Sequence, residues 1–366
     1  AIAVVGPRQS GKTTLVRRCF PGKAYVNLEN TDTRRFAIED PRGFLSGFPH
    51  GAILDEVQRV PEIFSYLQQV LDENNTKGQF ILTGSNNFLL QQNISQTLAG
   101  RVGYLFLLPL SLQELDHPFP STDALIYRGF YPEIYADKEM DAGKYYSNYI
   151  RTYVERDVRM IKNIVDLYTF ERFVRLCAGR TGQLLNMNSL AIEAGVDNKT
   201  VASWLSVLET SFIVFRLQPY HKSFNKRIVK MPKLYFYDTG LASALLGIDN
   251  KEQLGLHPSR GALFENMVVV EFLKNRFNSG KTNNLFFWRD NVGTEIDLLR
   301  ENSESLIPVE IKSGQTITDA YFKSITTWCK ISGIDKGWVI YAGNQPQKRS
   351  NGITVLPYTE IGTFQP

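Results

Sequence analysis

Short apolar runs separated by helix-like segments dominate residues 1–108 of the chain. The runs AIAVVG, AYVNLEN, GAILDE, QFILTGS and VGYLFLLPL show no regular alternation of apolar and polar positions. Strands that are buried on both faces have this pattern, whereas a sheet with one solvated face alternates. The pattern therefore predicts an α/β fold class, with a parallel sheet that helices cover on both faces.

The pattern changes after residue 108 and indicates three further segments. Residues 109–165 are helical, aromatic and charged, as in YYSNYIRTYVERDVRMIK, and are predicted to form a helical lid or linker. Residues 166–220 have helical periodicity and end in the apolar run FIVFRLQPY. Residues 221–366 return to strands, with one long helix around ALFENMVVVEFLKNRF. A chain of 366 residues is long enough for several domains of this size.

Composition excludes some classes of protein and leaves the partner open. The chain is 43% hydrophobic and 21% charged with a net charge of +4, which is ordinary for a globular protein. Its three cysteines, Cys19, Cys177 and Cys329, are scattered, which argues against a disulfide framework or a zinc knuckle and favours a cytoplasmic location. The longest apolar run, VGYLFLLPL, contains proline and is too short to span a bilayer, so no membrane partner is expected.

The octapeptide GPRQSGKT matches the phosphate-binding loop pattern G-x-x-x-x-G-K-[ST] at every fixed position, between a predicted strand and a predicted helix. In such a loop, backbone N–H groups surround the phosphates and the helix N-terminus adds positive potential. The predicted ATP contacts are Gly6, Pro7, Arg8, Gln9, Ser10, Gly11, Lys12, Thr13 and Thr14. Lys12 is expected to contact the β- and γ-phosphates, and Thr13 to bind Mg²⁺.

Two carboxylates, Asp55 and Glu56, follow the apolar run AIL at the end of a predicted strand. With a phosphate-binding loop upstream, Asp55 is predicted to hold Mg²⁺ through water. Glu56 is predicted to orient or deprotonate the attacking water, a catalytic role. The next apolar run, FILTGS, ends in Thr83 and Ser85, and one of these two is expected to sense the γ-phosphate.

The segment NSLAIEAGVDNKTVASWLSVLET has the spacing of a helix-turn-helix. Gly195 is predicted to make the turn, and Asn198 or Thr200 to cap the second helix. The run FIVFRLQPY would then supply the strand of a winged helix. The second helix either recognises DNA or packs against the rest of the protein; because its start offers one cation, Lys199, we favour packing.

Residues 216–233 contain six cations and no acid. The cations are Arg216, Lys222, Lys226, Arg227, Lys230 and Lys233. Positive charge at this density suits a phosphate backbone. The predicted nucleic-acid contacts are Lys222, Lys226, Arg227 and Lys230. The alternative is a solvated loop that faces an acidic part of the same protein.

The runs EIDLL and IPVEIKSG on either side of a short turn predict a hairpin. Glu310 and Lys312 share one face of their strand, the neighbouring strand adds Asp297, and the long helix adds Glu265. The carboxylates suit Mg²⁺ or Mn²⁺, and Lys312 would position or activate a metal-bound water. Without metal, Asp297 or Glu310 should have a raised pKa. An active nuclease, an inactive nuclease scaffold and a plain buried ion pair remain alternatives.

The segments GPRQSGKTTL, YVNLEN, LDEVQRVP, ILTGSNN and LAGRVGYLFLLPLSLQE together resemble AAA-superfamily ATPases of bacteria and archaea whose C-terminal half was long called a domain of unknown function. YVERDV and PKLYFYDTGL extend the resemblance over nearly the whole chain. It implies an AAA-type core, a winged helix and a restriction-endonuclease-like PD-(D/E)xK domain. It also makes Arg101 of the LAGR segment a trans-acting or sensing residue. Arg8 competes for that role, and Arg101 paired with a carboxylate is the alternative.

Two functional hypotheses follow. In the first, ATP binding and hydrolysis position a nuclease-like, DNA-binding C-terminal domain. In the second, the chain is a signalling or defence-type switch ATPase that binds a protein partner and uses an inactive nuclease fold as a docking platform. Both allow oligomerisation. The predicted boundaries are 1–108 for the ATPase core, 109–165 for the lid, 166–220 for the winged helix and 221–366 for the nuclease-like domain.

Overall fold

The structure is a computed structural model, and it describes residues 1–74, 76–84, 87–115, 121–137, 139–154, 166–220, 229–302 and 305–363. The chain divides into two compact units. The first comprises residues 1–109 and 210–212, and the second comprises residues 110–209 and 213–366. The further division of the second unit into lid, winged helix and nuclease-like domain stays a prediction.

The first unit is built on a five-stranded sheet with the order β2-β3-β4-β1-β5. Its strands are β1 (Ile2–Val5), β2 (Ala24–Asn27), β3 (Ala52–Asp55), β4 (Ile81–Thr83) and β5 (Gly103–Phe106). Every neighbouring pair is parallel, as the unbroken apolar runs predicted. The expectation of strands buried on both faces was wrong for β5, whose Tyr104 and Leu105 side chains are exposed, and β2 is only partly buried. Because the carboxyl ends of parallel strands meet at one edge, the residues that follow β1, β3 and β4 come together there.

Five helices connect these strands. They are α1 (Lys12–Cys19), α2 (Thr31–Glu39), α3 (Pro41–Ser46), α4 (Ile63–Glu73) and α5 (Asn87–Thr97). Side-chain caps define two of the starts: the Asn30 side chain accepts the N–H groups of Asp32 and Thr33, and Asp40 accepts that of Gly43. Helix α1 begins directly after Gly11, whose φ of 90° suits glycine and ends the phosphate-binding loop.

The described part of the second unit begins with helical segments. They are α6 (Thr122–Arg128), α7 (Pro132–Ala136), α8 (Ala142–Tyr149), α9 (Leu167–Ala178), α10 (Met187–Ala194) and α11 (Asn198–Thr210). Gly195 makes the predicted turn between α10 and α11 with a φ of 77°. The predicted cap of α11 was wrong: Asp197 Oδ1 accepts the N–H of Thr200 at 2.7 Å. An aspartate immediately before a helix satisfies the third N–H, so the true cap lies one residue earlier than Asn198.

Four more helices and an eight-stranded sheet complete the second unit. The helices are α12 (Thr239–Leu245), α13 (Lys251–Leu256), α14 (Arg260–Asn278) and α15 (Lys323–Ser332). The strands are β6 (Val214–Pro219), β7 (Lys233–Phe236), β8 (Leu285–Arg289), β9 (Glu295–Glu301), β10 (Leu306–Lys312), β11 (Gly337–Tyr341), β12 (Gln347–Lys348) and β13 (Ile353–Pro357). The sheet order is β12-β13-β11-β10-β9-β8-β6-β7, and β9 and β10 form the predicted antiparallel hairpin. Strand β6, which the sequence placed in a separate winged module, is hydrogen-bonded to β7 and β8 of this sheet.

Helix α14 carries a buried ion pair between Glu271 and Lys274. Both side chains also hydrogen-bond to the backbone of the first residues of the second unit. Glu271 Oε1 accepts the backbone N–H of Leu112 at 2.9 Å, and Lys274 Nζ donates to the Leu110 carbonyl oxygen at 2.7 Å. Burial raises the pKa of Glu271 and lowers that of Lys274. Among the helices that the structure describes, none is long and apolar enough to cross a bilayer.

Candidate nucleotide site and acidic cleft

The phosphate-binding loop connects β1 to α1. The Lys12 side chain is buried, and its ammonium donates to the carbonyl oxygens of Gly6 at 3.0 Å and of Pro7 at 2.6 Å. A Cβ at Gly6 would lie 2.0 Å from the Leu107 carbonyl oxygen, so a larger residue does not fit there. The backbone of the loop therefore curls around the Lys12 ammonium, with the Gly6 and Pro7 carbonyl groups pointing at it.

The remaining loop residues differ in accessibility. Pro7 and Ser10 are buried, Arg8 is partly buried, and Gln9 and Thr14 are exposed. The Ser10 hydroxyl has no hydrogen-bond partner within the described part of the chain. Because an unsatisfied buried hydroxyl is unfavourable, a polar group from outside the chain fits this position, and a phosphate oxygen is one such group.

The Asp55 carboxylate is the most highly hydrogen-bonded group of the site. Oδ2 accepts from the Thr13 hydroxyl at 2.9 Å and from the Tyr25 hydroxyl at 2.8 Å. Oδ1 accepts from the Thr83 hydroxyl at 2.5 Å and from the Glu56 N–H at 3.2 Å. Burial, and then the Asp55 carboxylate, raise the pKa of Tyr25. The Thr13 and Asp55 oxygens lie side by side, and such hard oxygens suit Mg²⁺.

Thr83 ends β4, which lies in the sheet between β1 and β3. Because Asp55 ends the neighbouring strand β3, the Thr83 hydroxyl reaches its carboxylate. The other predicted sensor, Ser85, lies outside the described residues. Tyr25 was not anticipated from the sequence. Its only signal was its position two residues before the end of β2, on the strand that pairs with β3.

Glu56 directly follows β3 and has a backbone φ of 57°, in the left-handed region. The Gln58 side chain donates its Nε2 hydrogen to Glu56 Oε2 at 2.6 Å. Gln58 is buried, and a Cβ at Gly84 would lie 2.1 Å from its Oε1 atom. Glycine at position 84 therefore leaves room for the amide that holds Glu56. Sequence reasoning missed Gln58, because a glutamine beside an acid pair carries no signal by itself.

Arg101 forms a bidentate ion pair with Asp72 of α4. Its Nε atom lies 2.5 Å from Oδ1 and its Nη2 atom 3.0 Å from Oδ2. A hydrogen bond from the guanidinium holds the pKa of the Asp72 carboxyl below its usual range. The structure thus shows the alternative raised from the sequence, a pairing with a carboxylate. A sensing or trans-acting role for Arg101 or Arg8 stays a prediction.

The second unit brings the predicted C-terminal residues together. Lys312 Nζ lies 2.6 Å from Glu310 Oε1 and 3.7 Å from Asp297 Oδ2. The backbone N–H of Ile311 donates to Asp297 Oδ2 at 2.7 Å. Burial, and next the charge of Asp297, raise the pKa of Glu310 to about 8, although Lys312 opposes the shift. The expectation of a raised carboxylate pKa without metal is confirmed.

Glu265 lies close to these side chains. Burial lowers the pKa of Lys312, but nearby carboxylates, of which Glu265 is one, raise it. The acidic cleft is defined as the group formed by Lys233, Glu265, Glu295, Asp297, Glu310 and Lys312. Glu265 has a partner that the sequence did not predict. Lys233 Nζ lies 2.9 Å from Glu265 Oε1 and 2.5 Å from Glu295 Oε1, and the Lys233 side chain is buried. The Tyr235 hydroxyl donates to the same Glu265 oxygen at 2.5 Å. Burial lowers the pKa of Lys233, but the surrounding acidic groups outweigh it and the net shift is upward.

A divalent cation fits this cleft only in part. The described residues contain no group of three or more histidine, cysteine or acidic side chains placed to hold a metal ion. Glu265 offers an oxygen that already accepts from Lys233 and Tyr235. Glu310 is better suited, because its Oε2 atom is buried and has no hydrogen-bond partner among the described residues. Asp297 and Glu310 could therefore hold one cation whose other ligands are water.

Of the six cations in residues 216–233, the structure describes Arg216, Lys230 and Lys233, and two of these three form ion pairs within the protein. Arg216 forms a bidentate ion pair with Glu209 at 2.6 and 2.7 Å. Lys233 lies in the acidic cleft. Of the predicted nucleic-acid contacts, Lys230 is exposed. The other three, Lys222, Lys226 and Arg227, lie outside the described residues.

The family comparisons agree with the loop and sheet of the first unit. An AAA domain family matches residues 1–116. A domain of unknown function (DUF8612) matches residues 120–252, and another (DUF4143) matches residues 260–361. The chain therefore carries an N-terminal AAA domain, a nucleotide-binding domain of the P-loop ATPase superfamily, followed by two domains whose families carry no functional description.

Relatives extend along the whole chain. Two uncharacterized proteins, from Mycobacterium bovis and Mycobacterium tuberculosis, are each 30% identical over 366 residues, which is 99% of this chain and 81% of each relative. The chain belongs to the family of these two proteins. An uncharacterized protein from Haemophilus influenzae is 23% identical over 281 residues, 71% of this chain and 64% of that protein.

One solved structure is also similar in part. It is a signal transduction ATPase with numerous domains (STAND) protein with a tetratricopeptide repeat sensor, from Pyrococcus horikoshii. The two chains are 12% identical, the match covers 77% of this chain and 46% of that chain, and the TM-score is 0.21. At that TM-score the match does not bear on the arrangement of the domains.

Proposed function

We propose that this protein binds ATP with Mg²⁺ through its AAA domain, hydrolyses it, and uses the nucleotide state to control its C-terminal module. The observation that carries the proposal is the Asp55 carboxylate, which accepts from the hydroxyls of Thr13 and Thr83 at the strand edge where the phosphate-binding loop begins. A carboxylate fixed beside a loop threonine and a buried lysine has the composition of a nucleotide–magnesium site.

Each residue has a distinct role in this proposal. Lys12 exchanges the carbonyl oxygens of Gly6 and Pro7 for phosphate oxygens, which are stronger acceptors because they are charged. Thr13 and Asp55 would hold Mg²⁺, which supplies charge neutralisation for the phosphates. Glu56 would orient or deprotonate the attacking water.

Nucleotide binding and phosphate release by purified variants test this proposal. Lys12→Ala is expected to abolish ATP binding, while Glu56→Gln is expected to retain binding and lose turnover. Lys77→Ala, which removes an exposed lysine from the same unit, is the matched control and should behave as wild type. Unchanged ATP affinity in Lys12→Ala would contradict the assignment.

For the C-terminal module we propose a nuclease-like domain, with the helices α9–α11 as a winged-helix element and the basic segment 222–230 as its DNA contact. The convergence of Asp297, Glu310 and Lys312 supports this proposal. In this proposal Asp297 and Glu310 hold a Mg²⁺ or Mn²⁺ ion, which would polarise a phosphodiester, and Lys312 positions a water.

A specific observation favours the second hypothesis, an inactive nuclease fold that docks a protein partner. Lys233 pairs with Glu265 and Glu295, so a protein cation already neutralises part of the cleft. The two hypotheses differ in a cleavage assay on several DNA and RNA forms with Mn²⁺, with and without ATP. Cleavage that disappears in Asp297→Asn and Glu310→Gln supports the nuclease; no cleavage of any substrate supports the docking platform.

A further inference from the structure

A basic pocket lies on the second unit at the C-terminal end of α14, with a volume of about 510 Å³. Its polar lining includes Gln113, Arg276, Asn278, Ser279, Lys281 and Arg300. Among the described residues, the lining contains three cations and no carboxylate. Arg276 follows Glu265 by eleven residues on α14, which corresponds to about 16 Å along the helix. The pocket is therefore a different place from the acidic cleft.

The charge of Arg276 acts on the other arginine of the pocket, Arg300. Burial lowers the pKa of Arg276, and burial and then the charge of Arg276 lower that of Arg300. Arg276 donates its Nε hydrogen to the Thr282 carbonyl oxygen at 3.1 Å, which fixes the guanidinium plane. The other four N–H donors of that guanidinium are not involved in this bond. Two neighbouring positive charges at a pocket wall are stabilised by an anion placed between them.

We propose that this pocket binds a phosphate group, carried either by a small nucleotide-type ligand or by the backbone of a nucleic-acid strand. Guanidinium groups match phosphate oxygens with two parallel hydrogen bonds. The side-chain amides of Gln113 and Asn278 add neutral donors to the same wall. The volume lies in the range of small-molecule sites, roughly 300–1,000 Å³, and exceeds what a single phosphate group needs.

A purely structural role makes a different prediction. Arginine near the C-terminal end of a helix interacts favourably with the helix dipole without any ligand. If this interaction were the whole role of Arg276, its replacement would change the stability of the protein and leave anion binding unchanged. Anion binding and stability must therefore be measured separately.

The test uses the full chain with Lys12→Ala as the parent protein, so that the phosphate-binding loop does not contribute. Pyrophosphate binding is measured by titration calorimetry, and binding of a labelled single-stranded oligothymidylate by fluorescence anisotropy. Arg276→Gln and Arg300→Gln are each expected to weaken binding of at least one probe by about tenfold, as for loss of a charge-assisted hydrogen bond. Lys330→Gln, which removes an exposed lysine from α15, is the matched control and should bind as the parent does.

The two probes distinguish the sources of the phosphate. Arginine-dependent binding of pyrophosphate alone assigns the pocket to a nucleotide-type ligand, and arginine-dependent binding of the oligonucleotide assigns it to a strand backbone. If an arginine variant fails to fold, judged by circular dichroism, Lys281→Gln replaces it, because Lys281 is exposed, and it should weaken binding about fivefold. Absence of binding by the parent, or equal affinity in the parent and in the pocket variants, would overturn the proposal.

Discussion

Lys233 of β7 forms an ion pair with Glu265 of α14, with 2.9 Å between Nζ and Oε1. The lysine belongs to a segment whose composition suggested a surface for nucleic acid, and the glutamate was predicted to bind metal. Their pairing changes both interpretations. The ammonium neutralises an acidic cleft from within, and one carboxylate of the predicted metal set already has a cationic partner.

The first prediction concerns this ion pair. Lys233→Met is expected to lower the free energy of unfolding of the second unit by about 3 kcal/mol, because it leaves the Glu265 carboxylate without its cation. Glu295 keeps one cationic partner, Arg289, at 3.0 Å. Urea denaturation near neutral pH measures the change. Lys330→Met, at an exposed position, should change it by less than about 0.5 kcal/mol. An effect of Lys233→Met as small as that of the control would show that the pair contributes little to stability.

The second prediction concerns pH. The pKa of Glu310 is raised from 4.5 to about 8 in the folded protein, so the folded state binds more protons than the unfolded state between these values. Its contribution to stability is therefore present below pH 4.5 and is lost as the pH rises through 8. Glu310→Gln, which keeps the shape and cannot ionise, is expected to flatten this part of the stability curve. An unchanged slope between pH 5 and pH 8, taken from denaturant melts, would contradict the assignment to Glu310.

The third prediction concerns Gln58, which we infer to be a positioning residue for Glu56. Gln58→Ala should lower the ATP turnover number, because the hydrogen bond that orients the Glu56 carboxylate is lost, and should leave ATP affinity within about twofold of wild type. Gln69→Ala is the control, since Gln69 is exposed and donates to Glu73 on the surface of α4. A loss of affinity equal to the loss of turnover would indicate a structural role instead.

The fourth prediction concerns the basic segment. Replacement of Lys226, Arg227 and Lys230 by alanine should flatten the dependence of log DNA affinity on log salt by up to about one unit per lost phosphate contact. Arg216→Ala is the control from the same stretch and should leave the slope unchanged, because Arg216 is engaged with Glu209. A triple variant with wild-type affinity and slope would exclude the segment as the contact surface.

The apolar runs were sufficient to predict the strands of the first sheet. Burial explains the pattern for β1, β3 and β4, whereas β5 carries an apolar run although it is mostly exposed. Sequence reasoning identified the loop at residues 6–13 and the pair Asp55 and Glu56. Both motifs are defined by a fixed order of neighbouring residues, which can be read directly from the sequence. The face shared by Glu310 and Lys312 followed from strand geometry alone. In each case the relevant information lies within a few neighbouring residues.

Two of the features that were missed, the burial of Lys233 and the contact of Tyr25, depend on residues distant in sequence. Lys233 looks like a surface cation beside Lys230, and its burial is determined by Glu265 and Glu295, which lie 32 and 62 positions further along. The contact of Tyr25 with Asp55 depends on how β2 pairs with β3. The cap at Asp197 was missed for a local reason, since Asp197, Asn198 and Thr200 all have side chains that can cap a helix.

Two features of Glu56 have opposite effects on stability: its left-handed backbone, which is unfavourable for glutamate, and its hydrogen bond from Gln58, which is favourable. A glutamate in that conformation is less stable than asparagine or glycine would be, by roughly 1 kcal/mol. Glu56→Asn relieves this strain, but it leaves the buried Gln58 amide without its acceptor, at a cost of about 1–3 kcal/mol. This variant is therefore expected to unfold at no higher temperature than wild type. A laboratory evolution experiment that screens for heat tolerance without an activity screen should accordingly change position 56 only together with position 58.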